Sequence, residues 1–189
     1  MDNEDKKLVQ EEVDRFGKTH DRITEALSQK AKELDVDEKL ARELTAEMVN
    51  ASREEDKQAL QSDESVAHGL AKMRLDQSHA LSDLAKQPYF ARVEYEEKGR
   101  KIEFKLGTAS FPEERIIDWR KGPISRLYYE YEEGDEFDDE IGGVERFGTI
   151  LQKRAYRGRR RDLFQIETSD HSYVQHHGEW HKSRKQSFK

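Results

Sequence analysis

The sequence predicts an α+β protein: a long N-terminal antiparallel helical hairpin, a coiled-coil arm, followed by a small, mainly antiparallel β-sheet or open barrel. Three observations carry that expectation. Residues 1–87 contain no proline and only two glycines, Gly17 and Gly69, and are rich in Glu, Lys, Ala, Leu and Gln, which favour helix. From Pro88 onward the apolar period changes from helical to alternating. The chain of 189 residues is 33% hydrophobic and 40% charged, too polar for one compact globule, and its helical periodicity assigns that polarity to long exposed helices.

The first helix is marked by a 4-3 spacing through Val9, Val13, Phe16, His20, Ile23, Leu27, Lys30 and Leu34, an a/d seam with two polar positions. Such a seam needs a partner, because an isolated amphipathic helix is marginal in water. The sequence predicts that partner immediately. Asp35 stands three residues before Glu38 as a capping pair, and Asp35, Val36 and Asp37 form a short turn. Leu40, Leu44 and Met48, with Val36 near the start, supply the returning face. The hairpin tip is therefore expected at residues 33–38. The second helix runs to about Ala85, some 50 residues and ~75 Å. Its middle, NASREEDKQALQSDES, is polar and exposed, and apolar spacing returns at Val66, Leu70, Met73, Ala80 and Leu84.

Strand signals follow. YFARVEYEE and KIEFKLG flank a Lys-Gly turn as a β-hairpin, with Phe90, Ile102, Phe104 and Leu106 as a candidate buried face. IIDW and ISRLYYEY are expected to pair around Lys121-Gly122-Pro123. An acidic loop, EEGDEFDDEIGG, precedes two further strands, GTILQKRAY and DLFQIET. The expected organisation is a hairpin arm over 1–87, a β-rich domain over 88–168, and a polar His/Lys-rich tail over 169–189, with SYV and Trp180 as weak late signals.

Composition sets the classes of function. Net charge is -7 with pI ≈ 5.6, which argues against a general DNA-coating protein. The absence of cysteine excludes disulfides and thiolate metal sites. The acidic start MDNEDKKLVQ has no apolar signal core, and no apolar run approaches a membrane span, so the expected location is cytoplasmic.

Gly17-Lys18-Thr19 resembles the end of a phosphate-binding loop, but Glu12 stands where the first glycine belongs and the triplet lies within the heptad seam. No ATP-binding or catalytic motif is expected in this chain. The histidines His171, His176, His177 and His181 lack a supporting carboxylate and read as a solvated tail, and the acidic run 130–140 lacks calcium-loop spacing, so no metal site is expected. The run KRAYRGRRR offers Lys153, Arg154, Arg157, Arg159, Arg160 and Arg161 for phosphate contacts, with a solvated connection or the docking site of an acidic partner equally open. The acidic tip, Glu33, Asp35, Asp37 and Glu38, suits helix capping and the macrodipole, which still does not explain a long arm carrying it. In DWR, Asp118 and Arg120 fall on one strand face as a structural pair, and Trp119, Tyr128 and Tyr129 supply a small sheet core.

In ordered combination, QPYFARVEY, IIDWRKGPISRLYYE and GTILQKRAY make the chain resemble the N-terminal region of HelD-type proteins, bacterial relatives of the UvrD/Rep superfamily 1 helicases that associate with RNA polymerase. The motifs cover residues 87–167, and the helical pattern supports 1–86. The resemblance implies that the coiled-coil arm enters the polymerase secondary channel, with Glu33, Asp35, Asp37 and Glu38 as the contacting tip. ATP and Mg2+ are implied only for a motor region that this sequence lacks, and the abrupt SRKQSFK end reads as that of a fragment. RNA polymerase core is the expected partner of a monomeric chain. A nucleic-acid-binding accessory domain of a DNA helicase, using the basic segment at 153–161, is the alternative.

Overall fold

The computed structural model describes residues 1–50 and 53–185. Residues 51 and 52 of the polar NASREED stretch, and 186–189 of the terminal SRKQSFK, lie outside the described residues. Two long helices come first, α1 (Asn3–Asn50) and α2 (Glu54–Lys86). The strands follow as β1 (Ala91–Glu97), β2 (Arg100–Gly107), β3 (Ile116–Asp118), β4 (Glu136–Ile141), β5 (Val144–Arg159), β6 (Asp162–Glu167), β7 (His171–His176) and β8 (Glu179–Arg184). A short helix, α3 (Arg126–Glu130), lies between β3 and β4. The chain is thus α+β, and it divides into a body, Met1–Ile23 with Asp83–Lys189, and a helical unit, Thr24–Ser82. Among the described residues no helix is long and apolar enough to cross a membrane.

The expected turn at 33–38 is not there. α1 is one helix of 48 residues and α2 has 33, not about 50. The cause lies in the seam itself, because the 4-3 register begun at Val9 continues past Leu34 through Asp37, Ala41, Leu44 and Met48. Between Leu34 and Met48 there is neither Gly nor Pro to break it. The division at 1–87, 88–168 and 169–189 changes with it, since the start of α1 belongs to the body and the expected tail contributes β7 and β8.

In the body the strand order is β3-β2-β1-β5-β6-β7-β8, with β4 paired to β5 off that path. All these pairings are antiparallel except β2 with β3. The β1–β2 turn uses Lys98 and Gly99 at φ 52 and 73, the double positive φ of a tight hairpin turn. β5 is long enough to serve two cores, pairing with β4 over 144–149, β1 over 149–155 and β6 over 155–159. On one face Ala91, Val93 and Tyr95 of β1 join Phe104, Leu106 and Ile150, packed with Leu127 of α3 and Phe137 and Ile141 of β4. Phe90 and Ile102 of the expected face are only partly buried against that cluster.

The other face is covered by α1. Val9 and Phe16, expected to meet a helix, instead pack with Tyr89, Tyr156, Leu163, Ile166 and Tyr173. Phe16 meets Tyr89 at a tilt and Tyr156 meets it edge to face, with ring centroids 5.1 and 5.2 Å away. Gly158 permits this approach, because a Cβ there would lie 2.5 Å from the Phe16 ring. Burial of Phe16 alone is worth about 1.5–3 kcal/mol.

Charges lock the same contact. Buried Glu12 accepts from Arg92 Nη2 at 2.8 Å, Arg15 Nη1 at 2.7 Å and Tyr156 Oη at 2.8 Å, and it also pairs with Arg154. Burial pushes the Glu12 carboxyl pKa up, but Arg92, Arg154 and Arg15 together outweigh it and hold the pKa below the usual range. Nearer the N-terminus, Asp5 accepts from Lys182 Nζ and Tyr173 Oη, each at 2.8 Å. The Lys182 bond is the main reason its carboxyl is held well below the ordinary value.

The second expected strand pair is also replaced. Only Ile116–Asp118 is extended, and Pro123 starts a tight helical turn that leads into α3. Ile124, Leu127, Tyr128 and Tyr131 then meet the first core at helical spacing. Trp119 and Tyr129 are 43% and 53% exposed, so they do not form the sheet core, whereas Tyr128 is partly buried against it. Asp118 and Arg120 do pair, but in the turn after β3: Arg120 donates to Asp118 Oδ1 from its backbone N–H at 2.9 Å and from Nε at 3.4 Å. The expected acidic loop contains β4, closed by Gly142 and Gly143 at positive φ.

Candidate functional site

The helical unit is an antiparallel pair built on an unusual seam. Lys30, Leu34, Asp37, Ala41, Leu44 and Met48 of α1 turn inward, and Leu60, Glu64, Ala67, Ala71, Arg74, Ser78 and Leu81 do so on α2. Small residues let two helices approach closely but supply little apolar burial, so polar contacts carry part of the pairing. Arg74 pairs with both Glu33 and Asp37, and Thr45 Oγ1 donates to Glu64 Oε1 at 2.8 Å. These cross-helix pairs join residues about equally far from the start of α2, as an antiparallel hairpin requires.

That geometry relocates the acidic tip. Glu33 and Asp37 are committed to Arg74 within the pair, while Asp35 and Glu38 make i,i+4 ion pairs with Lys39 at 2.9 Å and Arg42 at 3.5 Å. None of the four stands at the end of the hairpin. The acids that do are Glu54, Glu55 and Asp56 in the first turn of α2, with Glu47 near the end of α1. These three suit the positive end of the α2 dipole. Continuing the 4-3 register beyond Leu34 would have located them.

The basic run lies on β5 and its turn into β6. Lys153 Nζ donates to the Tyr131 carbonyl at 2.7 Å and pairs with Glu132 at 3.2 Å. Arg154 is drawn into the Glu12 cluster, and Arg161 donates from Nε and Nη2 to the two Asp21 oxygens at 2.9 and 3.0 Å. The remaining three, Arg157, Arg159 and Arg160, are exposed, with no side-chain hydrogen bond or ion pair among the described residues. The run is therefore half structural and half available for contact with an anion.

Gly17-Lys18-Thr19 lies within α1, where Thr19 Oγ1 donates to buried Glu114 at 3.1 Å. The four late histidines belong to β7, β8 and their turn, and the His176 and His181 rings lie tilted with centroids 5.9 Å apart. Among the described residues no group of three His, Cys, Asp or Glu side chains is placed to hold a metal.

Compared with known families, residues 5–179 match the family described as DNA helicase IV HelD, N-terminal domain. No curated protein matches the chain.

Proposed function

The chain belongs to the family of DNA helicase IV HelD N-terminal domains, and from that premise we propose that it is the RNA polymerase-binding module of a helicase-like transcription factor. Its helical unit probes the polymerase secondary channel, and the leading side chains are Glu54, Glu55 and Asp56. The observation that carries this reading is a two-helix unit separate from the body, ending in exposed acids. From Thr24 to Asn50 α1 is ~40 Å long at 1.5 Å per residue, a reach suited to a channel. Acidic side chains there approach a magnesium-bearing centre or stand in for nucleic-acid phosphate.

Co-purification with core polymerase and a transcription assay test it, comparing the parent chain with Glu54→Lys/Glu55→Lys/Asp56→Lys. The triple variant is expected to associate more slowly and to lose its effect on transcription, most clearly at low salt. Asp35→Lys/Glu38→Lys, which alters acids away from the end, serves as the comparison. Equal behaviour of all three proteins removes the end from the mechanism.

A second reading is favoured by the three unpaired arginines. Arg157, Arg159 and Arg160 bind a nucleic-acid backbone as part of a helicase accessory domain. Their joint replacement by Ala should then weaken single- and double-strand binding and flatten its salt dependence. An absence of binding at low salt eliminates this reading.

A further inference from the structure

The helical unit Thr24–Ser82 keeps small and polar residues inside and leaves larger apolar ones outside. Val36, Leu40, Val66, Leu70 and Met73 are 39–63% exposed. Each stands one residue before an inward position: Val36 before Asp37, Leu40 before Ala41, Val66 before Ala67, Leu70 before Ala71, and Met73 before Arg74. In an antiparallel helix pair such positions from both helices share one broad face, and those that follow the inward positions share the other. The five side chains therefore make one stripe across both helices. A contiguous exposed apolar patch on a highly polar unit marks an interaction surface, unlike scattered exposed leucines.

Charge narrows the occupant. Every charged side chain in the same register on this face is acidic, namely Glu33, Glu43, Glu47 and Asp63, whereas Arg42 and Lys72 belong to the opposite face. Glu43, Glu47 and Asp63 are exposed and carry no ion pair among the described residues. Over residues 24–82, thirteen acidic side chains outnumber eight basic ones. A second copy of the chain would set acid against acid, and nucleic acid would be repelled.

We infer that this face docks a basic amphipathic helix of a partner protein. The partner lays an aliphatic stripe over Val36, Leu40, Leu70 and Met73 and sets Lys or Arg beside Glu43, Glu47 and Asp63. The inference goes beyond the polymerase reading, since it uses the side of the helical unit and none of the leading residues Glu54, Glu55 and Asp56.

The test uses the full chain and a synthetic helical peptide with Leu at i, i+3, i+4 and i+7 and Lys elsewhere, followed by fluorescence anisotropy. A scrambled peptide of the same composition is the reference. The amphipathic peptide should bind at least about tenfold tighter than the scrambled one, and Leu70→Ser/Met73→Ser should remove about that factor, the equivalent of a lost buried aliphatic contact. Glu43→Gln/Glu47→Gln/Asp63→Asn should flatten the salt dependence, and Leu75→Ser on the opposite face should change nothing. These positions are exposed, and helical circular dichroism verifies that each variant folds. Equal binding of the two peptides, or equal loss from Leu75→Ser, overturns the inference. So does a concentration-dependent dimer that Leu70→Ser/Met73→Ser dissolves, which would assign the face to a second copy.

Discussion

Glu12→Gln separates charge from packing in the contact between α1 and the sheet. Glu12 is 1% exposed and Arg92 3%, and the carboxylate is met by Arg92, Arg15, Arg154 and Tyr156. Gln conserves shape but removes the negative charge and one acceptor. Its NH2 can donate to Tyr156 Oη, which already accepts from Arg92 Nε at 3.1 Å, and the Tyr156 proton then loses its acceptor. Removing one partner of a buried ion pair costs about 3–5 kcal/mol. Arg92 retains Glu103 at 3.0 Å and Gln152 at 2.7 Å, so the low end applies, about 3 kcal/mol. For a chain of this size that is roughly 6–12 °C in Tm. Urea unfolding followed by tryptophan fluorescence measures it, because Trp180 packs against the affected cluster.

The pH dependence supplies an independent check. Burial alone would raise the Glu12 pKa, but the arginines hold it below the ordinary glutamate value. A depressed folded pKa contributes stability that is complete above the unfolded value, about 4.3, and is lost as pH falls through the folded one. The gap between parent and Glu12→Gln should therefore be widest near neutrality and close in acid. A loss under about 1 kcal/mol at neutral pH, or a gap that widens in acid, would refute a charge-locked helix. Glu12→Leu/Arg92→Met should recover only part of the loss, since an apolar pair avoids the desolvation of two ions but leaves Arg154 and the Tyr156 hydroxyl without Glu12.

Tyr89→Phe should leave stability unchanged or raise it by up to about 1 kcal/mol in the same urea assay, because the buried Tyr89 hydroxyl has no hydrogen-bond partner among the described residues. Gly158→Ala should destabilise by about 1–3 kcal/mol, since its Cβ would lie 2.5 Å from Phe16 and 2.7 Å from the Asp162 carbonyl oxygen. Phe16→Leu should relieve the first clash but not the second, so rescue in urea unfolding is partial. Arg74→Ala leaves Glu33 and Asp37 without their shared cation, and the pair is partly exposed, so a loss of about 1 kcal/mol is expected. Hydrogen exchange should quicken within 24–82 and stay unchanged across the β-strands of the body.

The change from helix to strand near Pro88 and the Lys98-Gly99 turn were legible because both depend on local period and backbone preference. The position of the helix break was not. Asp35 and Glu38 fit a capping pair, and Val36 and Leu40 offer a more apolar face than Asp37 and Ala41, so the local signals favour a turn where α1 is continuous. Close helix approach favours the smaller set, and that preference depends on the partner helix. ISRLYYE shows the same ambiguity at short range, where alternation and helical spacing fit the same letters until Pro123 and the core select the helix.

Charge roles were hidden for a different reason. Glu12 meets Arg92 and Tyr156 across 80 and 144 residues, so no local pattern announces the cluster. The same long-range pairing reclassifies both candidate sites. A charge held inside the fold by a geometric partner cannot turn to an external one without breaking that contact, so it adds a folding cost to any binding it performs. Glu33 and Asp37 fall out of the acidic set by this reasoning, and Lys153 and Arg154 out of the basic one, whereas Arg161 holds only an exposed surface pair with Asp21 that costs little to break. What remains is Glu54, Glu55 and Asp56 in the first turn of α2 and Arg157, Arg159 and Arg160 on β5 and the turn after it, two exposed groups of opposite sign whose substitution is expected to leave the fold nearly unchanged, so that any change in the binding assays reports on the charges themselves.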